Sequence, residues 1–137
     1  MKMNEKVKAL WINALESETY KQGKGALRLI SPEGSLCDEY CCLGVLTELF
    51  IKEHPGTIFS KVSAFKGKKV MEYSYKNEET KSLTGSKTLL PLPVMKWAEI
   101  SEFDPIVSYG NTPINISTLN DNDIDFKEIA SIIRNQL

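Results

Sequence analysis

Tyr40-Cys41-Cys42-Leu43-Gly44-Val45-Leu46 is apolar on every side and is notched by one glycine. A helix with no polar stripe is a buried helix. The spacing predicts that helix from Tyr40 to Lys52, with Glu48, Lys52 and Glu53 turning its later part toward water. His54-Pro55-Gly56 stops it, because proline and glycine both end helices. Upstream, Val7, Leu10, Trp11, Ala14 and Leu15 fall at i, i+3, i+4, i+7 and i+8, one face of a helix over about residues 4–17 with Asn4 as its N-cap. Far downstream, Leu119-Asn120-Asp121 forms a polar corner before the final helix.

The segments between these landmarks read mostly as short strands and turns. Tyr20 to Gly25 is a loop, Ala26 to Ile30 a strand, Ser31 to Ser35 a Pro/Gly turn, and Leu36 to Glu39 the returning strand of a hairpin. Thr57 to Phe59 and Val70 to Tyr75 are strands, the second placing Met71, Tyr73 and Tyr75 on one face. Asn77 to Lys87 is polar and is expected to be a mobile loop. Pro93 suits the first turn of a helix running to Ile100. Ile106 to Tyr109 and Ile114 to Ile116 can pair as strands. Asp125 and Glu128 predict a capping box, with Ile124 and Ile129 as its hydrophobic staple. The reading is a single α+β domain over residues 1–137, with three to four helices packed on a small, mainly antiparallel sheet. Its expected core contains Leu10, Trp11, Leu15, Leu43, Leu46, Leu49, Trp97, Ile129 and Ile133.

Composition narrows the function classes. The chain has 137 residues, 42% hydrophobic and 26% charged, enough for one core without staples. Seventeen basic side chains face 18 acidic ones, a net charge of −1. That argues against non-specific nucleic-acid binding, which needs a basic face. No apolar run reaches the ~20 residues needed to span a bilayer, and the charged N-terminus is unlike a signal peptide, so no membrane role and a cytoplasmic location are expected. Cys37, Cys41 and Cys42 are odd in number and clustered, which suits reduced thiols.

Several chemistries fail on spacing. Structural zinc needs two pairs of ligands, and only one such spacing exists beside the single His54, so no metal is expected. A Cys–His nucleophile would need His54 beside a cysteine from which roughly 18 Å of helix separates it. Asp121 to Asp125 resembles the start of a calcium loop, but Phe126 and Ile132 stand where that loop needs Gly and Glu. No catalytic residue and no cofactor is assigned. The remaining candidate is Lys21-Gln22-Gly23-Lys24-Gly25-Ala26-Leu27-Arg28. Its glycines could converge backbone N–H groups on an anion beside three cations. Equally, it could be a tight helix-to-strand turn with surface lysines.

Five segments in order carry a resemblance: W-I-N-A-L-E-S at 11–17, Y-K-Q-G-K-G-A-L-R at 20–28, Y-C-C-L-G-V-L at 40–46, L-P-L-P-V-M-K-W-A at 90–98, and L-N-D with F-K-E-I-A-S-I-I at 119–133. Together they resemble an uncharacterised family of small phage and prophage accessory proteins. The resemblance implies a protein acting in the host cytoplasm. Such proteins commonly disarm a host process, which leaves three readings. One is counter-defence by binding and sequestering a small anionic, nucleotide-type signal, as a sponge. The second is inhibition of a host or defence enzyme by protein binding. The third is a signal-degrading enzyme. The residues favour the first. Its expected ligand-binding set is Lys21, Gly23, Lys24, Gly25 and Arg28, with Asn120 and Asp121 closing the pocket and Arg28 outranking the lysines. Tyr73, Tyr75 and Trp97 are the aromatic alternative. A homo-oligomer is expected.

Overall fold

A computed structural model describes residues 2–32 and 37–137. Glu33, Gly34, Ser35 and Leu36, where part of the expected turn and returning strand fall, lie outside the described residues. The architecture is α+β. The helices are α1 (Glu5–Glu16), α2 (Cys42–Glu53), α3 (Leu92–Ala98), α4 (Ile116–Asp121) and α5 (Phe126–Gln136). The strands are β1 (Lys21–Gln22), β2 (Arg28–Leu29), β3 (Glu39–Tyr40), β4 (Phe59–Phe65), β5 (Lys68–Lys76), β6 (Leu83–Ser86), β7 (Ile106–Tyr109) and β8 (Thr112–Asn115). The main sheet runs β1-β3-β2-β5-β4, with β6 also on β5, and among the described residues only the β1–β3 pair is parallel. β7 and β8 form a separate two-stranded ladder.

Local chemistry explains most boundaries. Asn4 accepts the Val7 N–H at 3.0 Å and starts α1. Asp125 accepts the Glu128 N–H at 2.9 Å and starts α5. The return half of the expected capping box is spent elsewhere, since Glu128 Oε2 accepts the Tyr109 hydroxyl at 2.7 Å. Asp104 accepts the Ser117 N–H at 3.1 Å and anchors the first turn of α4. That short helix follows β8 directly and raises the number to five among the described residues.

The core lies between the helices and the sheet. Trp11, Leu15, Leu43, Leu46, Ile129 and Ile133 are buried, as the sequence predicts. Leu49 and Trp97 are half-buried at its margin. Leu10 is 39% exposed, and Ile12 takes its place inside. The face of α1 is rotated toward α5 and α2, leaving Leu10 in a groove beside Trp97. Met71, Tyr73 and Tyr75 do share a core-facing side, with both tyrosines buried.

Two stretches depart from expectation. Residues 83–86 are a strand, not a loop, because they pair with Tyr73 to Lys76 of β5. The Glu72 side chain lies over Gly85 in that pairing. The strand expected at Ala26–Ile30 contracts to Arg28–Leu29, because Leu27 turns inward. Its N–H meets the Lys87 carbonyl at 2.8 Å and its side chain is fully buried.

Candidate functional site

The link between the two landmark segments is Asn120. Cys41, the N-cap of α2, makes no side-chain cap hydrogen bond. Asn120 Oδ1, arriving from α4, accepts the Cys42 N–H at 3.1 Å and supplies the missing cap. The same oxygen accepts Gln22 Nε2 at 3.0 Å, and Asn120 Nδ2 donates to the Gly23 carbonyl at 2.7 Å. Gln22 in turn donates to the Ile124 carbonyl at 2.8 Å and accepts the Phe126 N–H at 3.0 Å, which caps α5. Asn120 is fully buried, and every polar atom of its side chain is used.

This network occupies the predicted anion loop from within. Gly23 N–H donates to the Tyr40 carbonyl at 2.8 Å, and Gly25 N–H to Asp121 Oδ1 at 3.1 Å. Gly25 needs its φ of +86° to do so. Gly23 has no room for a side chain, since a β-carbon would lie 2.6 Å from that of Glu39. Lys24 is ion-paired with Asp123. A hollow of about 190 Å³ remains between Gln22, Lys24, Asn120 and Asp123. Gly23, Gly25, Asn120 and Asp121 are therefore brought together, and they serve one another.

Arg28 and Lys21 line a different hollow from that corner. Arg28 Nε donates to Asp38 Oδ2 at 2.8 Å and its Nη2 lies 2.7 Å from the same oxygen. Its Nη1 reaches Glu48 Oε2 at 3.2 Å, and its guanidinium stacks 5.2 Å from the Tyr40 ring centre. Burial works against the Arg28 charge, but Asp38 and Glu48 outweigh it and raise its pKa. Burial would also push Asp38 up. The Ser31 N–H at 2.8 Å and Arg28 overcome that and hold its carboxyl below the usual range. Glu48 Oε2 also accepts the Tyr73 hydroxyl at 2.6 Å. Burial first, then Glu48, raises the Tyr73 pKa, so the phenol stays protonated.

Arg28, Asp38 and Glu48 form the floor of a cleft of about 420 Å³. Tyr20 and Tyr40 make one wall, their rings edge to face with centres 5.1 Å apart. Lys52 reaches the Tyr20 hydroxyl at 3.3 Å, and Lys21 pairs with Glu39 at 3.3 Å. Of the residues singled out from sequence, Lys21 and Arg28 line this cleft. Tyr20, Asp38, Tyr40, Glu48 and Lys52 do not stand out in the sequence. The one available sign was Glu48, which the sequence turns toward water and the structure instead sets against Arg28 and Tyr73. The aromatic alternative does not assemble. Tyr73 and Tyr75 are buried in the core, while Trp97 packs edge-on against Phe50 and His54.

Two of the three cysteines behave as core, while Cys37 is exposed. Cys41 and Cys42 are buried, and burial pushes the Cys41 thiol up to about 12 and that of Cys42 well above its ordinary value. No cluster of three or more His, Cys, Asp or Glu suited to a metal occurs among the described residues. No helix among them is long and apolar enough to cross a membrane.

The chain belongs to the family described as Domain of unknown function (DUF8296), whose pattern matches residues 3–137. No curated protein and no solved structure matches it.

Proposed function

We propose that this member of the family binds and sequesters a small nucleotide-type signal, and that it does so as a phage accessory protein in the host cytoplasm. The observation that carries this reading is the Tyr20–Tyr40 cleft, which combines aromatic rings with Lys21, Lys52 and Arg28. A nucleotide offers a flat base, hydroxyls and phosphates. Tyrosine rings suit the base, ammonium groups suit the phosphates, and Asp38 and Glu48 are acceptors suited to a base N–H or a ribose hydroxyl. Arg28 is held by two carboxylates, so its part is to position Tyr40 and the cleft floor. In this reading Lys21 and Lys52 contact phosphate, and Arg28 no longer outranks the lysines. The Gly23–Gly25 loop with Asn120 and Asp121 supports the cleft from behind. Homo-oligomerisation belongs to the same proposal.

The test is calorimetry with cyclic dinucleotides and cyclic ADP-ribose isomers. The parent protein binds at least one of them. Tyr40→Ala and Lys52→Ala each weaken that binding about tenfold or more, as loss of a ring contact or a charge-assisted hydrogen bond predicts. Lys24→Ala leaves it unchanged. If no ligand of either class binds, sequestration of such signals is wrong and inhibition by protein binding replaces it.

A further inference from the structure

A basic stretch of the chain lies outside the cleft. Residues 59–69 carry four of the 17 basic side chains and none of the 18 acidic ones. They form β4, a two-residue turn and the start of β5. Lys66 and Gly67 both have positive φ, +51° and +78°, as a tight hairpin turn requires. Lys61 pairs with Glu72 at 3.7 Å, and the Lys66 ammonium lies 5.3 Å from the Phe65 ring centre. Lys66, Lys68 and Lys69 have no carboxylate partner among the described residues.

The backbone beside these lysines is also open. β4 ends the sheet, with β5 as its one neighbour among the described residues. A two-residue turn closes on a hydrogen-bonded Phe65–Lys68 pair, so alternation directs the N–H and C=O of Ser60, Val62 and Ala64 away from β5. The Ala64 carbonyl is taken by Lys87 Nζ at 2.9 Å, which adds a cation to the same edge. Phe59 and Val62 are each 58% exposed on this strand.

We infer that β4 receives an acidic, extended segment of a partner protein, added as a further strand. Its backbone pairs with Ser60 and Val62, its carboxylates on one face meet Lys66 and Lys68, and its apolar residues on the other face cover Val62. A nucleic acid fits less well. The hairpin has no arginine for two-pronged phosphate contact, the net charge of −1 opposes a long polyanion, and phosphate would leave the apolar edge uncovered. This surface is separate from the Tyr20–Tyr40 cleft and does not depend on it.

The experiment is fluorescence anisotropy on the full chain with a labelled peptide of alternating Glu and Val. A Lys/Val peptide and a labelled poly-thymidine strand serve as comparisons. The acidic peptide binds and the basic one does not. Combined Lys66→Glu, Lys68→Glu and Lys69→Glu weakens binding at least about tenfold at low salt, the milder Lys→Gln set weakens it less, and added salt weakens binding by the parent chain. Val62→Pro removes an edge N–H without changing charge and weakens it to a similar degree, with circular dichroism reporting retention of the fold. Absence of peptide binding, equal binding by the charge-reversed chain, or tighter binding of poly-thymidine would overturn the inference. So would self-association of the unliganded chain that charge reversal abolishes, because a second copy would then be the occupant.

Discussion

At the scale of single residues, Asn120 is the most consequential side chain. It replaces a missing N-cap on α2, receives Gln22 and holds the Gly23 carbonyl, all without access to water. Asn120→Ala strands a buried N–H and a buried C=O, each of which costs about 1–3 kcal/mol. Urea denaturation should show a loss of about 3 kcal/mol, and a loss under ~1 kcal/mol would mean the hub does not hold. Arg28 makes a second prediction, with a pH sign. The folded structure depresses the Asp38 pKa. The stability this contributes is full above the unfolded carboxyl pKa of about 3.9 and is lost as pH falls through the folded value. The cost of Arg28→Met should therefore be largest near neutrality and should shrink below pH ~4. Denaturation midpoints of the variant and the parent across that range check it; a cost independent of pH would contradict the Arg28–Asp38 assignment.

At the scale of elements, α2 organises the molecule. A β-carbon on Gly44 would overlap the Leu27 carbonyl oxygen, so the helix can lie against that backbone because position 44 lacks a side chain. The Trp11 indole meets the Cys42 carbonyl at 2.9 Å from the other side. Leu46 is fully buried between these contacts, and Leu46→Ala should cost about 2–5 kcal/mol in chemical denaturation. A cost below ~0.5 kcal/mol would remove α2 from the core. The helices were largely legible because local chemistry writes them: Asn4, Asp125 and the apolar period each fix a boundary. β6 was not legible, since Leu83-Thr84-Gly85-Ser86 has no strong pattern and owes its form to pairing with β5. Leu10 was misplaced because periodicity defines a face but not which edge of that face a neighbour covers.

At the scale of the whole molecule, the candidate site was legible in part. Lys21 and Arg28 were visible as cations beside glycines, but their surroundings come from Glu48 and Asp38, remote or unremarkable in sequence. Long-range pairing divided the predicted set in two. Gly23, Gly25, Asn120 and Asp121 became support, whereas Lys21 and Arg28 joined Tyr20, Tyr40 and Lys52 in a cleft. The central claim is that this cleft captures a small nucleotide-type molecule. Native mass spectrometry of the protein purified from phage-infected, defence-active cells tests it most directly, and reports subunit number in the same spectrum. The account predicts an added mass that fragments to a phosphate-bearing nucleotide species and is lost in Tyr40→Ala. A parent protein that carries no added mass, or one equally present in Tyr40→Ala, would contradict it.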